Sequence, residues 1–446
     1  MADFAPTKAL GRAILFVGAL LLGAALFGRF DFVVLAAPFA IGTAVSVIRR
    51  PRVRPMAELS TVEPFVVEGG DAGASVGVGN PGTTGYDLAL VRVRVPYWID
   101  LEHAEHPYAT SVAPGTISDI DLNGRVTRWG RHTLGPATAY AVGGDGLFIS
   151  RGARTGSLLV KAYPVTEFFD ADEAMPRAAG HVGGHRSRRP GQGGEIAGVR
   201  RFSPGDRLRR IDWRVSLRTR ELHVVATLSD RDAEVVLLLD VLHEAGRSGG
   251  VDGTPSVLDT TVRAAAGIAE HYLHRGDRVS LVQYGYQVRR LRAGSGRRHY
   301  LTTLEWLLDV APAGSAGDPP ATMFGPHLVP GNALVMVLTP LIDVRSAGML
   351  ANLARAGRFV MAVDTLPIGL ADPAIPPTGV GTSRWAGAAH RLWLLERANL
   401  VGQLREVGVP VVQWGGAGSL DEVLRGVARI ALSRTAPGAV GMGMGS

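Results

Sequence analysis

The sequence predicts a multidomain chain: a two-helix transmembrane hairpin, a small antiparallel β-sandwich and an α/β doubly wound domain. Three observations predict it. Two apolar runs open the chain, short β-rich runs separated by Gly, Pro and Asn clusters follow as far as about Pro164, and from Glu234 onward strands alternate with helices. The expected boundaries are 1–55 for the anchor, 56–165 for the sandwich, 166–230 for a basic linker, 231–434 for the α/β domain and 435–446 for a disordered tail.

The anchor comes first. Ala13 to Phe27 is apolar throughout, Gly28-Arg29-Phe30-Asp31 forms a polar turn, and Phe32 to Ile48 is apolar apart from Gly42, Thr43 and Ser46. These runs of 15 and 17 residues are short for a hydrocarbon core that asks for about 20. Flanking Leu10 and Phe30 and a snorkelling Arg12 extend them. A cleaved signal peptide would explain the first run but neither the second nor the Arg49-Arg50-Pro51-Arg52-Val53-Arg54 cluster behind it. Lys8 and Arg12 on one flank and four arginines on the other place both flanks, and the soluble domains, on the cytoplasmic side of a cell membrane.

In the sandwich, Thr61 to Val67, Ala74 to Val78, Leu88 to Val95 and Leu158 to Ala162 read as strands. Arg92 and Arg94 share one face of the third, with Val91, Val93 and Val95 on the other. The α/β domain begins with the continuous apolar run Val235 to Leu239 ending in Asp240, as a strand buried on both faces requires. The expected elements after it are a helix (257–274), a strand (279–283), a helix (300–308), a strand (333–338), a helix (346–355), a strand (359–363), a helix (391–407), a strand (410–413) and a last helix (419–432).

Charge is concentrated. Residues 1–55 carry +5 (seven basic, two acidic), 56–175 carry −7 and 176–225 carry +8, within a chain of net +7. The absence of cysteine excludes disulfides and thiolate metal sites. Only Phe202 and Trp213 accompany the twelve arginines of 176–225, too few aromatics for a base-stacking surface, so no specific nucleic acid is expected. Anionic membrane lipid is a partner those arginines could engage.

Several literal motif matches lack their chemistry. Gly77-Val78-Gly79-Asn80-Pro81-Gly82 is interrupted by proline and precedes no helix, so it does not cradle a dinucleotide. Gly246-Arg247-Ser248-Gly249-Gly250 follows a strand that has already ended, so the serine is not a hydrolase nucleophile. No phosphate-binding loop of the type G-x-x-x-x-G-K-[ST] occurs, and any ATP-driven work falls to a partner. His103 and His106 with Glu102 and Glu105 read as a solvated loop.

One constellation is specific. Arg200-Arg201-Phe202-Ser203-Pro204-Gly205-Asp206 is followed by Arg209, then Ile211-Asp212-Trp213, then Arg218-Thr219-Arg220-Glu221-Leu222, and then the strand ending in Asp240. This series resembles the signature of the bacterial family called domain of unknown function 58. The segment Arg128 to Pro136, Gly144 to Phe148 and the hairpin anchor resemble that family's other parts. The residues read as structural or partner-binding: a Pro-Gly turn at Pro204 and Gly205, Trp213 filling a groove between domains, and Asp206 or Asp212 pairing with nearby arginines. The resemblance implies a von Willebrand factor A-like α/β domain and a MoxR-type AAA+ ATPase as protein partner, in assembly or maturation of a protein complex or the cell envelope. It implies no reaction, and no enzyme and no cofactor are expected.

The sequence departs from such domains at Asp240. A metal-ion-dependent adhesion site needs D-x-S-x-S, where one carboxylate and two hydroxyls hold a divalent metal; here the run is Asp240-Val241-Leu242-His243-Glu244. A degenerate site would combine Asp240 with Glu244 and Asp343. The alternative function is therefore a metal-dependent enzyme using Asp240, His243, Glu244 and Asp343. The main expectation is a membrane-anchored interaction or scaffold protein.

Overall fold

The computed structural model describes residues 3–61, 63–166, 190–202, 211–228, 234–285, 289–312, 328–330, 333–371, 385–415 and positions 423 and 425. The arginine-rich loop around 180–189, the tail and the signature residues Pro204, Gly205, Asp206 and Arg209 lie outside this set. The chain divides into two compact units, Met1–Tyr163 and Pro164–Ser446.

In the first unit, helices α1 (Lys8–Phe27) and α2 (Asp31–Ile48) form the hairpin, turned by Gly28 in the left-handed region at φ 64°. Helical geometry starts α1 at Lys8 and α2 at Asp31, ahead of the apolar runs, giving 20 and 18 residues. At about 1.5 Å per residue they reach about 30 and 27 Å, enough to cross a hydrocarbon core. Both are apolar enough for that role.

Among the described residues, thirteen strands build the rest of this unit: β1 (Phe4–Pro6), β2 (Met56–Thr61), β3 (Phe65–Val67), β4 (Asp71–Gly79), β5 (Tyr86–Val93), β6 (Ile99–Leu101), β7 (Tyr108–Val112), β8 (Ile117–Val126), β9 (Gly130–Leu134), β10 (Ala137–Gly143), β11 (Phe148–Ser150), β12 (Ala153–Arg154) and β13 (Leu158–Tyr163). They form the sheets β1-β11-β10-β5-β7, with β12 beside β10, then β2-β4-β8-β6, and β3-β13-β9. Pairing is antiparallel except between β3 and β13. Alternation decides which face is buried. Ala137, Ala139 and Ala141 of β10 point into a core shared with Val76, Val78 and Leu122, while Arg92 of β5 faces out beside buried Val91.

The anchor is continuous with this sandwich. Strand β1, ahead of the hairpin, pairs with β11 through Phe4↔Ser150 and Pro6↔Phe148. Thr7 donates its amide to the Leu147 carbonyl and its hydroxyl to that of Gly146, both at 2.9 Å. At the far end of the hairpin, the Ser46 hydroxyl donates to the Asp145 carboxylate and Arg50 lies over the Phe148 ring. Both ends of the hairpin therefore meet one β10–β11 turn and lie on the same side as the sandwich.

The second unit opens with a hairpin of β14 (Pro190–Arg201) and β15 (His223–Leu228), joined through the short helix α3 (Trp213–Thr219). A six-stranded sheet follows: β16 (Glu234–Asp240), β17 (Arg278–Tyr284), β18 (Arg290–Gly294), β19 (Leu334–Thr339), β20 (Phe359–Asp364) and β21 (Val411–Gln413). Its order is β18-β17-β16-β19-β20-β21. All pairs are parallel except β17 with β18, so the sheet carries an antiparallel edge strand that the expected elements lacked. Helices α4 (Val257–His274), α5 (Gly296–Leu307), α6 (Val344–Arg355), α7 (Ile368–Ala371) and α8 (Ala386–Glu406) complete it. Val236 and Leu238 pack with Leu350 and Leu353 of α6 and Leu404 of α8. By strand alternation Leu237 and Leu239 face the other way, where α4 lies, so the sheet is doubly wound. Of the last expected helix only Val423 and Arg425 are described, and both are helical.

Candidate functional site at the carboxyl edge of the sheet

Strand β16 is where the strand order turns. β17 and β18 lie to one side and β19 to β21 to the other, and the crevice beyond the carboxyl ends at such a switch point is where open α/β sheets bind ligands. Asp240 closes β16 and Thr339 closes β19 at this point.

The Asp240 side chain is only 4% exposed, and all its acceptor capacity is turned inward. One carboxylate oxygen accepts the hydroxyls of Thr339 and Ser346, each at 2.6 Å, and the other accepts the Leu242 amide at 3.1 Å. Burial raises the carboxyl above the ordinary aspartate value, and these three donors oppose the rise. The Thr339 hydroxyl also accepts the Leu341 amide at 3.1 Å. Leu341 is fully buried with φ 51°, a left-handed conformation that costs a non-glycine residue about 1–2 kcal/mol and that its apolar seat maintains.

Asp343 lies on the rim as the N-cap of α6. Its side chain accepts the Arg345 amide at 2.8 Å, the Arg345 guanidinium at 2.6 and 2.9 Å, and His243 Nε2 at 2.7 Å. Partial burial pushes this carboxyl up, but the Arg345 and His243 contacts outweigh it and hold the group down at about 2. Glu244 is taken up by the start of α4, where its Oε1 accepts the Leu258 amide at 3.3 Å. Of the three candidate ligands, Asp240 and Asp343 are thus bonded to protein donors and Glu244 serves a helix terminus. Among the described residues no group of three or more His, Asp or Glu side chains is placed to hold a metal ion. As arranged the set does not fit a hard cation, because the Asp240 and Asp343 oxygens are occupied by protein donors.

The edge is braced again by a pair the sequence reading did not name. Arg397 of α8 places Nη2 2.5 Å from an Asp364 oxygen at the end of β20, and its Nε donates to the Pro340 carbonyl at 2.9 Å. Burial raises the Asp364 carboxyl, opposed by Arg397 and by the Leu366 amide. An aspartate closing an apolar strand is visible in the sequence; an arginine on a helix some thirty positions later carries no signal that it reaches back.

The signature segment forms a separate structure. Arg200 lies near the end of β14 and Phe202 just beyond it, where the Phe202 amide donates to the Leu222 carbonyl at 2.8 Å, and Ile211 bridges to Val224. Asp212 is the N-cap of α3, its Oδ1 accepting the Val215 amide at 3.1 Å. Its backbone and that of His223 hold Ser216 inward. The Thr219 hydroxyl donates to the Val215 carbonyl at 2.9 Å and lies 3.1 Å from the His223 ring. Arg218 is exposed in the last turn. Trp213 does not fill a groove: with Ser216 inward, the helix turns the indole out, and it is 61% exposed.

This signature and the strand after it fall inside a family match. Residues 198–383 match the model of the family described as Protein of unknown function DUF58. The match covers less than half of the chain. Uncharacterized proteins of Mycobacterium tuberculosis and Mycobacterium bovis are 36% identical to the chain over 142 residues, 30% of this chain and 43% of theirs. The chain therefore covers less than half the length of these curated relatives. Among solved structures, a stretch covering 26% of this chain is similar to 89% of the CARDB domain of PF1109 from Pyrococcus furiosus (TM-score 0.18, 18% identity). A stretch of the same share is similar to 93% of a non-cellulosomal cohesin from Archaeoglobus fulgidus (TM-score 0.19, 13% identity). Alpha-2-macroglobulin from Escherichia coli aligns over 25% of this chain and 17% of its own (TM-score 0.22, 17% identity). At such scores these likenesses carry no functional argument.

Proposed function

We propose that this chain is a membrane-anchored interaction scaffold whose α/β domain, of the von Willebrand factor A-like type, presents the edge around Asp240, Thr339 and Asp343 to a protein partner on the cytoplasmic side. The observation that carries this reading is how the edge spends its polar groups. Asp240, Thr339 and Ser346 satisfy one another in the interior, and the rim above them offers an exposed Val344 (69%) beside His243 and Arg345. A rigid support beneath a mixed apolar and charged rim is the anatomy of a protein contact.

The partner we propose is a MoxR-type AAA+ ATPase, in line with the family resemblance and with the lack of a phosphate-binding loop in this chain. The pair would act in assembly or maturation of a protein complex or of the cell envelope. A photo-crosslinking residue at Val344, introduced into the full chain in its native membrane, tests this. The expected product is an adduct with an AAA+ protein that disappears with Arg345→Glu. Adducts that repeatedly contain no AAA+ protein refute the partner assignment, and absence of any adduct refutes the edge as a contact surface. The rival, a metal-dependent enzyme, requires Asp343 to leave Arg345. Titration of the full chain in detergent with Mg²⁺, Mn²⁺ and Zn²⁺ decides it: a thermal shift lost in Asp240→Asn supports a metal, and no shift counts against one.

A further inference from the structure

A second surface of the chain has a composition suited to a different contact. Helix α3 is short, yet its two sides differ sharply. Val215, Ser216 and Thr219 lie on the side joined to β15, through the Asp212 cap and the Ser216 and Thr219 bonds to His223. At 100° per residue, Trp213 and Leu217 then project together on the outer side, with Arg214 and Arg218 beside them. Exposure agrees: Trp213 is 61% and Leu217 79% exposed, and both arginines are exposed, as is Arg220 in the left-handed C-cap. No acidic side chain interrupts this stretch from Trp213 to Arg220.

An exposed tryptophan and leucine on a short helix, flanked by three arginines, have the composition of a segment that lies in the headgroup layer of an anionic bilayer. The indole sits at the polar–apolar boundary and the guanidinium groups meet lipid phosphates. Free in solution, so small a surface would bind weakly. Here the hairpin holds the chain at a bilayer, which raises the effective concentration of lipid headgroups around any part of it. We propose that the outer side of α3 is a lipid-docking face whose occupant is the anionic headgroup layer of the bilayer that holds α1 and α2. Two classes of residue then have two roles: the arginines select charge and the apolar pair sets depth. Each arginine near an anionic surface contributes about fivefold in partitioning, so the three supply on the order of a hundredfold. The inference rests on the membrane anchorage of α1 and α2, which alkaline extraction of the same preparation reports separately.

The absence of native cysteine permits a clean test. The full chain carrying Leu217→Cys, labelled with an environment-sensitive dye, is reconstituted into vesicles of phosphatidylcholine with or without about one-third phosphatidylglycerol, each also prepared with a doxyl-labelled lipid quencher. The expected result is a blue-shifted dye, quenched at least twofold more in the anionic vesicles. Quenching should fall to the neutral-vesicle level in Arg214→Glu/Arg218→Glu/Arg220→Glu and at high salt. The salt arm uses the unaltered fold, so it stands even where the triple variant misfolds. Equal quenching in both lipids, or a dye that stays solvent-exposed in both, overturns the proposal. So does a blue-shifted dye that the lipid quencher does not reach, which would assign the face to a protein.

Discussion

Replacing Asp240 with alanine removes the acceptor for three buried donors, the hydroxyls of Thr339 and Ser346 and the Leu242 amide. A buried donor left unsatisfied costs about 1–3 kcal/mol. Hydroxyls can rotate toward other acceptors, whereas the amide cannot, so the lower end applies to the first two and the total is about 3–4 kcal/mol. Two features push the figure up: Thr339 also holds the Leu341 amide, and Leu341 stays left-handed only while its buried seat persists. One pushes it down: the carboxylate is itself costly to bury, and its removal recovers part of that cost. For a unit of this size about 3 kcal/mol lowers the midpoint of thermal unfolding by on the order of 6–12 °C. Differential scanning fluorimetry of the full chain in detergent measures it, with Asp240→Asn as control. The amide oxygen of asparagine can still accept two hydroxyls while its NH₂ group meets the Leu242 amide, so the control should lose about half as much. A midpoint within 2 °C of wild type for Asp240→Ala, or an equal fall for both variants, would show that the network does not support the edge as described.

Arg397→Ala strands the Asp364 carboxylate in the interior, and breaking a buried pair from one side costs about 3–5 kcal/mol; Arg345→Ala on the solvated rim should cost about 1 kcal/mol or less. Equal shifts in thermal midpoint for the two variants would contradict the burial difference. Asp343 is depressed to about 2, so its contribution is complete above the ordinary carboxylate range near 4 and is lost as pH falls from about 4 to about 2. Solvent at the rim reduces that contribution to about 1 kcal/mol. Acid unfolding of Asp343→Asn should accordingly be shallower than wild type across this window, and identical profiles would refute the linkage. Phe4→Asp places a charge in the sandwich core beside Tyr86, so strand β1 should detach and protease should trim the residues ahead of α1 while the remaining sandwich resists digestion. Unchanged protection of that segment would count against the pairing with β11.

Legibility in the sequence tracked the range of the interaction that shapes each element. The run Val235 to Leu239 announces a strand buried on both faces, and the helix that follows ends within a residue or two of where local pattern places it. Strand β18 escaped notice because Arg290 and Arg292 on a half-exposed edge break any apolar run. Strand β1 has three residues and exists only through β11, some 145 positions away. The site divides in the same way. Asp240 and Asp343 could be brought to one edge because each stands at or just past the end of an apolar strand. The donors that silence Asp240 come from 99 and 106 positions downstream, and no spacing marks them. Glu244 follows Asp240 closely in sequence, and that spacing carries no signal of its bond to the Leu258 amide at the start of α4. Trp213 is expected to fill a groove, whereas the Asp212 cap sets a helix orientation that exposes it.

The pairing of β1 with β11 also imposes an order on biogenesis. Residues 4–6 are made before their partner strand, which ends at position 150, after both hydrophobic helices and most of the sandwich. At about 5–20 residues per second, some hundred residues beyond α2 take on the order of ten seconds. Throughout that interval β1 lacks the strand it pairs with. Both hydrophobic helices are therefore complete before this edge of the sheet can close. Because Thr7 and Ser46, at the two ends of the hairpin, both bond to the β10–β11 turn, the sheet closes only when both ends of the hairpin stand on its side.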